Sequence, residues 1–508
     1  MSTAHATTTD GEDSAPPIST VAGTGSAGPN GDGGPAVSAQ VNQPNGIAMD
    51  RTGTLYVVDY GGHRVRRITT DGKISTIAGT GSANFGGDGG PAVKAHLKNP
   101  TGVAVDGSGN VYIADTENHR VRKVAADGKI STVAGTGSAA TSGDGGLATA
   151  ARVNRPTGVA VDGDGVLYIA ENSAHRVRKV AADGKISTVA GNGSGTFGGD
   201  GGPAASAQLR SPYGVAVDGA GNLYIADRGN HRIRKVTADG NISTIAGTGS
   251  AKFSGDGGQA ASAELNNPFT MVVDSTGALY VADYGNHAVR KITADGEIST
   301  VAGIGTGGID GDNGPAVAAQ LKNPTAVAVD CVDTLYIADH NNHRVRKVSS
   351  AKMAGLPDSG AVVSWGNVRS RLRMGVLRES VKDGAEIHQS LAAPRDHQRW
   401  RMVVAGQEDG EVLYTIENVR SGKVLEVVGA HGCDGAVVAQ RTYEGGDARH
   451  QQWRLIPVGS VDGSPRAYEI ANGNSGLLLR VESNARTAIR QHGAEGDHRN
   501  RQWELLPV

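Results

Sequence analysis

One period governs this chain. A proline opening a short apolar run recurs at Pro44, Pro100, Pro156, Pro212, Pro268 and Pro324, each 56 residues after the last and without an insertion. Self-similarity at a fixed spacing of this size means stacked or radial units that bury a core only together. The stretch 100–137, PTGVAVDGSGNVYIADTENHRVRKVAADGKISTVAGTG, shows what one unit is. Four runs rich in Val and Ile (GVAVD, VYIAD, HRVRKV, ISTVAG) lie in it, the first three divided by the turn clusters DGSGN, DTEN and AADGK. Such runs read as antiparallel strands joined by tight turns. Six four-stranded units read as a closed six-bladed β-propeller.

The ends of the array carry the closure. The sixth unit stops at Val348 without an ISTVAG strand, and a spare copy stands at Ile18–Ala22, before the first full unit. The spare strand is expected to complete the sixth blade from outside, which hides both sheet edges. Strand order then assigns faces. The long GDGG connection and the DTENHR turn share one face, and the DGSGN and AADGK turns share the other.

Two sets of polar residues repeat with the blades. A carboxylate ends the second strand of every unit (Asp59, Asp115, Glu171, Asp227, Asp283, Asp339). Four residues on stands His63, His119, His175, His231, His287 or His343, followed by Arg in five units and by Ala288 in the other. Histidine with carboxylate can bind metal, but a residue present in every blade is better explained by the blade's own needs. The carboxylate is expected to accept from turn amides or the Arg, and the His to lock the turn. The GDGG aspartates (Asp32, Asp88, Asp144, Asp200, Asp256, Asp312) are expected to bond their own turn backbone. One carboxylate per loop is thin for calcium, which takes six or more oxygens. No metal site and no cofactor are expected. Both acidic rings fall on the long-loop face, which argues there against a polyanion such as nucleic acid.

Departures from repetition say more about function, because blade structure does not require them. After the opening proline come Asn45, Thr101, Thr157, Tyr213, Phe269 and Thr325. After the second-strand carboxylate come Tyr60, Thr116, Asn172, Arg228, Tyr284 and His340. Large side chains gather near the channel mouth, and Tyr213, Phe269, Tyr284 and His340 are candidates for an exposed ligand or partner surface. Phe85, Phe197 and Phe253 share one position in the long loop and are read as pinning that loop to its blade.

Units reading NPTGVAVD, NVYIAD and NHRVRKV resemble the NHL repeat family over about residues 18–349. The resemblance implies a propeller that binds protein, RNA or carbohydrate; a few relatives are lyases or hydrolases with a channel-bound metal. Fold alone does not choose among these.

Past a short linker at 350–359 the period changes. Within 360–508 an Asn/Ser-Gly turn, an apolar strand, a DGA-like turn, a Gln and a closing Trp recur, with Trp400, Trp453 and Trp503 spaced by 53 and 50. Three such units resemble the ricin-type β-trefoil with its Q-x-W signature, kept at Gln398/Trp400 and Gln451/Trp453 and replaced by Arg501 before Trp503. The resemblance implies core tryptophans and a carbohydrate site built from an early carboxylate, an aromatic platform and amide side chains. The second unit offers Glu426, Gln440, Tyr443, His450 and Gln451 for it. The first and third have Gly375 and Arg480 in the acid position, and the third keeps Gln491 and Asn500 without their acid.

The remaining sequence narrows the rest. Net charge is −2, which gives no general pull toward polyanions or membranes. Residues 1–17 lack the basic and apolar regions of a signal peptide and read as a disordered tail, with a cytoplasmic address by default and non-classical export open. No stretch is apolar enough to insert in a bilayer. Cys331 and Cys433 read as free buried thiols. No nucleophile–base–orienter set stands out. The expected molecule is all-β, a six-bladed NHL propeller closed by its N-terminal strand plus a C-terminal β-trefoil. It is expected to be non-catalytic, with carbohydrate as partner of the trefoil and a protein or second glycan on the propeller face. A propeller lyase or hydrolase targeted by the trefoil, and a protein scaffold with inactive sugar sites, are the alternatives.

Overall fold

The computed structural model describes residues 16–349 apart from the turns at 51–52, 70, 275–276 and 331–333, and then the strands and some turns of 362–507. The tail up to residue 15, the linker, Cys331, Cys433, His450 and Asn500 lie outside the described residues. No α-helix occurs among those described. The chain divides into two compact units, with the boundary between Lys352 and Met353.

Each repeat folds as an antiparallel four-strand blade. In the second these are Val103–Val105, Val111–Asp115, Arg120–Val124 and Ile130–Ala134, paired in sequence order. The second strands of blades one to five are buried along their whole length, so they read as unbroken apolar runs rather than alternating ones. Apolar cores fill the wedges between neighbouring blades, and Ala and Val dominate them. Low aromatic content follows from this: blades this close take small, β-branched side chains.

Closure is as expected. Ile18–Ala22 pairs with Arg344–Val348 through Ile18↔Val348, Ser19↔Lys347 and Thr20↔Arg346. Thr20 Oγ1 also bonds Asp312 at 2.6 Å, the bond that Thr76, Thr132, Thr188 and Thr244 make to the GDGG aspartate of their own blades. The N-terminal strand therefore occupies the fourth-strand position of blade six down to its side-chain contacts.

The C-terminal unit is a β-trefoil network of twelve strands among the described residues. Its threefold repetition shows in register. Trp400 pairs with Asn418, Trp453 with Asn472 and Trp503 with Asn367, so the last repeat closes on the first. Trp365, Trp400 and Trp453 are fully buried. Trp400 Nε1 donates to the Met374 carbonyl and Trp453 Nε1 to that of Leu425, both near 3 Å.

Candidate binding sites

The repeated polar residues of the propeller are consumed by architecture. Each second-strand carboxylate is buried. Asp115 Oδ1 accepts from the Lys98 amide at 2.8 Å, Asn118 Nδ2 donates to it, and Arg122 Nη1 lies 3.3 Å from Oδ2. Burial pushes Asp59, Asp115, Asp283 and Asp339 up to about 6, and Glu171 up to about 7, against the pull of these donors.

The histidines join blades. Each sits in left-handed backbone, with φ between 51° and 56°. Each Nδ1 accepts from an amide at the start of the next blade: His63 from Asn99, His119 from Arg155, His175 from Ser211, His231 from Asn267 and His287 from Asn323, all at 3.0–3.2 Å. His343 accepts from Gln43 and closes the ring. Burial holds all six imidazoles below their usual range, and an Nδ1 that accepts must be unprotonated. The expected turn lock is therefore also an inter-blade latch.

The GDGG aspartates do not bond their own turns as expected. They pair with a ring of six fully buried arginines, Arg66, Arg122, Arg178, Arg234, Arg290 and Arg346. Arg122 Nη2 reaches Asp88 at 2.7 Å while Nη1 reaches Asp115, so one guanidinium ties the long loop to the strand-two terminus. The Arg after the His is the one that stands out beside the histidine in the sequence, whereas the partner of the aspartates is the Arg two residues on. Its presence in all six units, where the first Arg fails at Ala288, was the available signal. The ring also corrects the acidic long-loop face, because both sets of carboxylates have buried cationic partners.

The non-repeated residues gather at the channel mouth, but not as an exposed platform. Tyr213 and Phe269 are buried, while Tyr284 and His340 are half-buried. Large rings from the neighbouring blades four and five pack on one another at the channel mouth. Tyr213 and Phe269 have centroids 4.2 Å apart, and Phe269 stacks on Tyr284 at 4.2 Å. Tyr213 Oη bonds Asn45 Oδ1 of the opposite blade at 3.1 Å. His340 Nδ1 lies 3.0 Å from the Pro44 carbonyl, and its ring is 6.2 Å from Tyr60. The cluster caps the channel.

Further along the axis a cavity of about 220 Å³ is lined wholly by Ile, Val, Ala and Met, with Ile47, Val103, Val159, Val215, Met271 and Val327 among them. Such a wall offers no nucleophile, acid or base. Phe85 and Phe197 lie under Arg120 and Arg232 at 3.7 and 3.8 Å, the loop-pinning role expected for them. Phe253 lacks that cap because Ala288 replaces the Arg, and it keeps Arg290 at 5.0 Å.

In the trefoil, Glu426 and Gln440 lie on the paired strands Val424–Val427 and Val438–Arg441. Glu426, Gln440 and Gln451 are buried. Gln451 Nε2 donates to Glu426 Oε2 at 2.8 Å and to the Thr442 carbonyl at 3.2 Å. Gln440 Oε1 accepts from Ser421 Oγ at 2.7 Å, and its amide reaches the Lys382 carbonyl. The expectation that these amides face ring hydroxyls meets a different placement: both are buried, Gln451 bonding inside its repeat and Gln440 bonding Ser421 and, in the first repeat, Lys382. Tyr443, next to Thr442, is 43% exposed and is the surface member among the described candidates.

Comparison with known proteins agrees with this architecture. The NHL repeat model matches residues 97–124, 265–292 and 321–348, and a Teneurin NHL domain model matches 9–85, 136–197 and 194–254. A ricin-type beta-trefoil lectin domain-like model matches 355–441 and 396–491. Teneurin-4 of Homo sapiens is 37% identical over 40% of this chain and 8% of its own length. Teneurin-m of Drosophila melanogaster is 28% identical over 63% of this chain and 12% of its own. The chain thus spans about a tenth of the length of these relatives. A Bacteroides thetaiotaomicron structural genomics protein of unknown function shares the fold, at 21% identity and a TM-score of 0.51, over 66% of this chain and 76% of that one. The chain carries NHL repeats followed by a ricin-type β-trefoil lectin-like domain.

Proposed function

We propose that this chain is a non-catalytic binding protein, with carbohydrate taken by the second trefoil repeat and a second ligand met at the long-loop mouth of the propeller. The observation that carries the trefoil reading is the arrangement at Tyr443. An exposed aromatic ring follows Thr442, whose carbonyl is held by Gln451, which in turn holds Glu426. Aromatic faces stack on the apolar faces of sugar rings, and a residue braced by buried hydrogen bonds loses little entropy on binding. The non-catalytic reading is supported by the apolar channel wall and by the structural use of every repeated His and carboxylate.

The test is a glycan array probed with the full chain and with Tyr443→Ala. Because Tyr443 is exposed, its truncation should leave stability within about 0.5 kcal/mol while removing the signal. Equal signals from the two proteins would refute the placement. No signal from the wild type would leave the trefoil a scaffold.

A further inference from the structure

We propose that the long-loop mouth of the channel is a carboxylate site anchored by Arg228, taking a monoanion carried on a flat, apolar body. This deepens the reading of that mouth as a binding surface and rests on it. The six residues that follow the second-strand carboxylates are equivalent by repetition, so each blade contributes one to the mouth: Tyr60, Thr116, Asn172, Arg228, Tyr284 and His340.

Three of them are tied to the fold. Thr116 Oγ1 bonds Thr101 and the Pro156 carbonyl, Asn172 Nδ2 bonds the Ser211 and Pro212 carbonyls, and His340 bonds the Pro44 carbonyl. Arg228 is not. Its guanidinium makes no hydrogen bond or ion pair to a described residue, and its Nε is buried without a partner. An unpartnered buried Nε recurs at Arg64, Arg178, Arg290, Arg344 and Arg346, but their terminal nitrogens are engaged, as those of Arg228 are not. The arginines of the buried ring meet aspartates, Arg120 and Arg232 bond loop carbonyls, and Arg155 pairs with Glu117.

The adjacent carboxylates do not supply the missing counter-charge. Asp227 is taken by the Arg210 amide, Asn230 and Arg234, and Asp283 by the Asn266 amide, Asn286 and Arg290. A cation half-withdrawn from water without a partner costs free energy that an incoming anion recovers.

The surroundings set the ligand. The Arg228 Cζ lies over the Phe269 ring at 4.6 Å and 5.7 Å from that of Tyr213. Contact with aromatic faces restrains a guanidinium whose planar fork matches a carboxylate. The hydroxyls of Tyr60 and Tyr284 make no hydrogen bond to a described residue, which leaves them as neutral donors at the same mouth. One cation among neutral donors suits one negative charge. The half-exposed Tyr284 ring, stacked on Phe269, suits a flat body.

The test is calorimetric titration of the full chain at low ionic strength with benzoate, its neutral isostere benzamide, and inorganic phosphate. Benzoate is expected to bind and benzamide not to, with phosphate weaker than benzoate. Arg228→Gln should weaken benzoate about tenfold to a hundredfold, the worth of a charge-assisted hydrogen-bond pair. Arg228→Lys, which keeps the charge and the fold if Arg228→Gln does not, should recover only part because the fork is lost. Equal binding of benzoate and benzamide, tighter binding of phosphate, or undiminished benzoate binding by both variants would overturn the anion site while leaving a binding mouth. No binding of any probe would overturn both.

Discussion

At the scale of the residue, what matters is whether a polar group belongs to the repeat or departs from it. The six histidines and six carboxylates look like site residues by type, yet each is spent on a neighbour of fixed geometry. Their titration makes this measurable. The histidines have folded values below the unfolded one, so acidification protonates the unfolded chain first. Their stabilisation is present above about pH 6.5 and lost as pH falls through the folded value. The carboxylates act in the opposite sense. Raised to about 6 from about 4, they contribute below the unfolded value, and that contribution is lost as pH rises through 6. Replacing His119 with Asn, which tolerates left-handed backbone, removes one histidine contribution. The acid-side slope of unfolding free energy should then flatten by at most about 1.4 kcal/mol per pH unit, read from denaturant midpoints between pH 7 and 5. An unchanged slope would show that His119 holds no proton-sensitive bond. Arg122→Met tests the buried ring. It leaves Asp115 buried without its cation, and a loss of about 3–5 kcal/mol in unfolding free energy is expected.

At the scale of the element, the borrowed strand Ile18–Ala22 decides whether the ring closes. Ile18 and Ala22 are fully buried and the strand pairs along blade six, so deleting residues 1–23 exposes an unpaired strand as well as removing contacts. The truncated chain should unfold earlier on heating and self-associate in sedimentation velocity, because the third strand of blade six is then an open edge. A monomer with the wild-type melting temperature would contradict closure. This element was legible in the sequence because its ISTVA spelling matches three other copies, and two more read ISTIA. Blade boundaries were legible for the same reason: strand and turn chemistry are local. What was not legible depends on distance through the fold. The burial of the second Arg of HRVRKV depends on the long loop, whose aspartate lies 34 residues away in sequence. Tyr213 reads as exposed until blade one, 168 residues away, brings Asn45 against its hydroxyl. Gln440 and Gln451 read as sugar contacts, but both are buried, and Gln440 meets Lys382, 58 residues away in the first repeat.

At the scale of the whole molecule, two repeat architectures hold their shape with repeated residues, and the proposed function assigns recognition to the departures from repetition. The two sites proposed for this chain would raise apparent affinity when both engage one surface, through effective concentration rather than new contacts. The most direct measurement of this division is a glycan array read with three full-length proteins: wild type, Tyr443→Ala and His119→Asn. The predicted result is signal from the wild type and His119→Asn, with loss in Tyr443→Ala. Signal retained by Tyr443→Ala and lost in His119→Asn would contradict it, because recognition would then belong to the repeated polar ring.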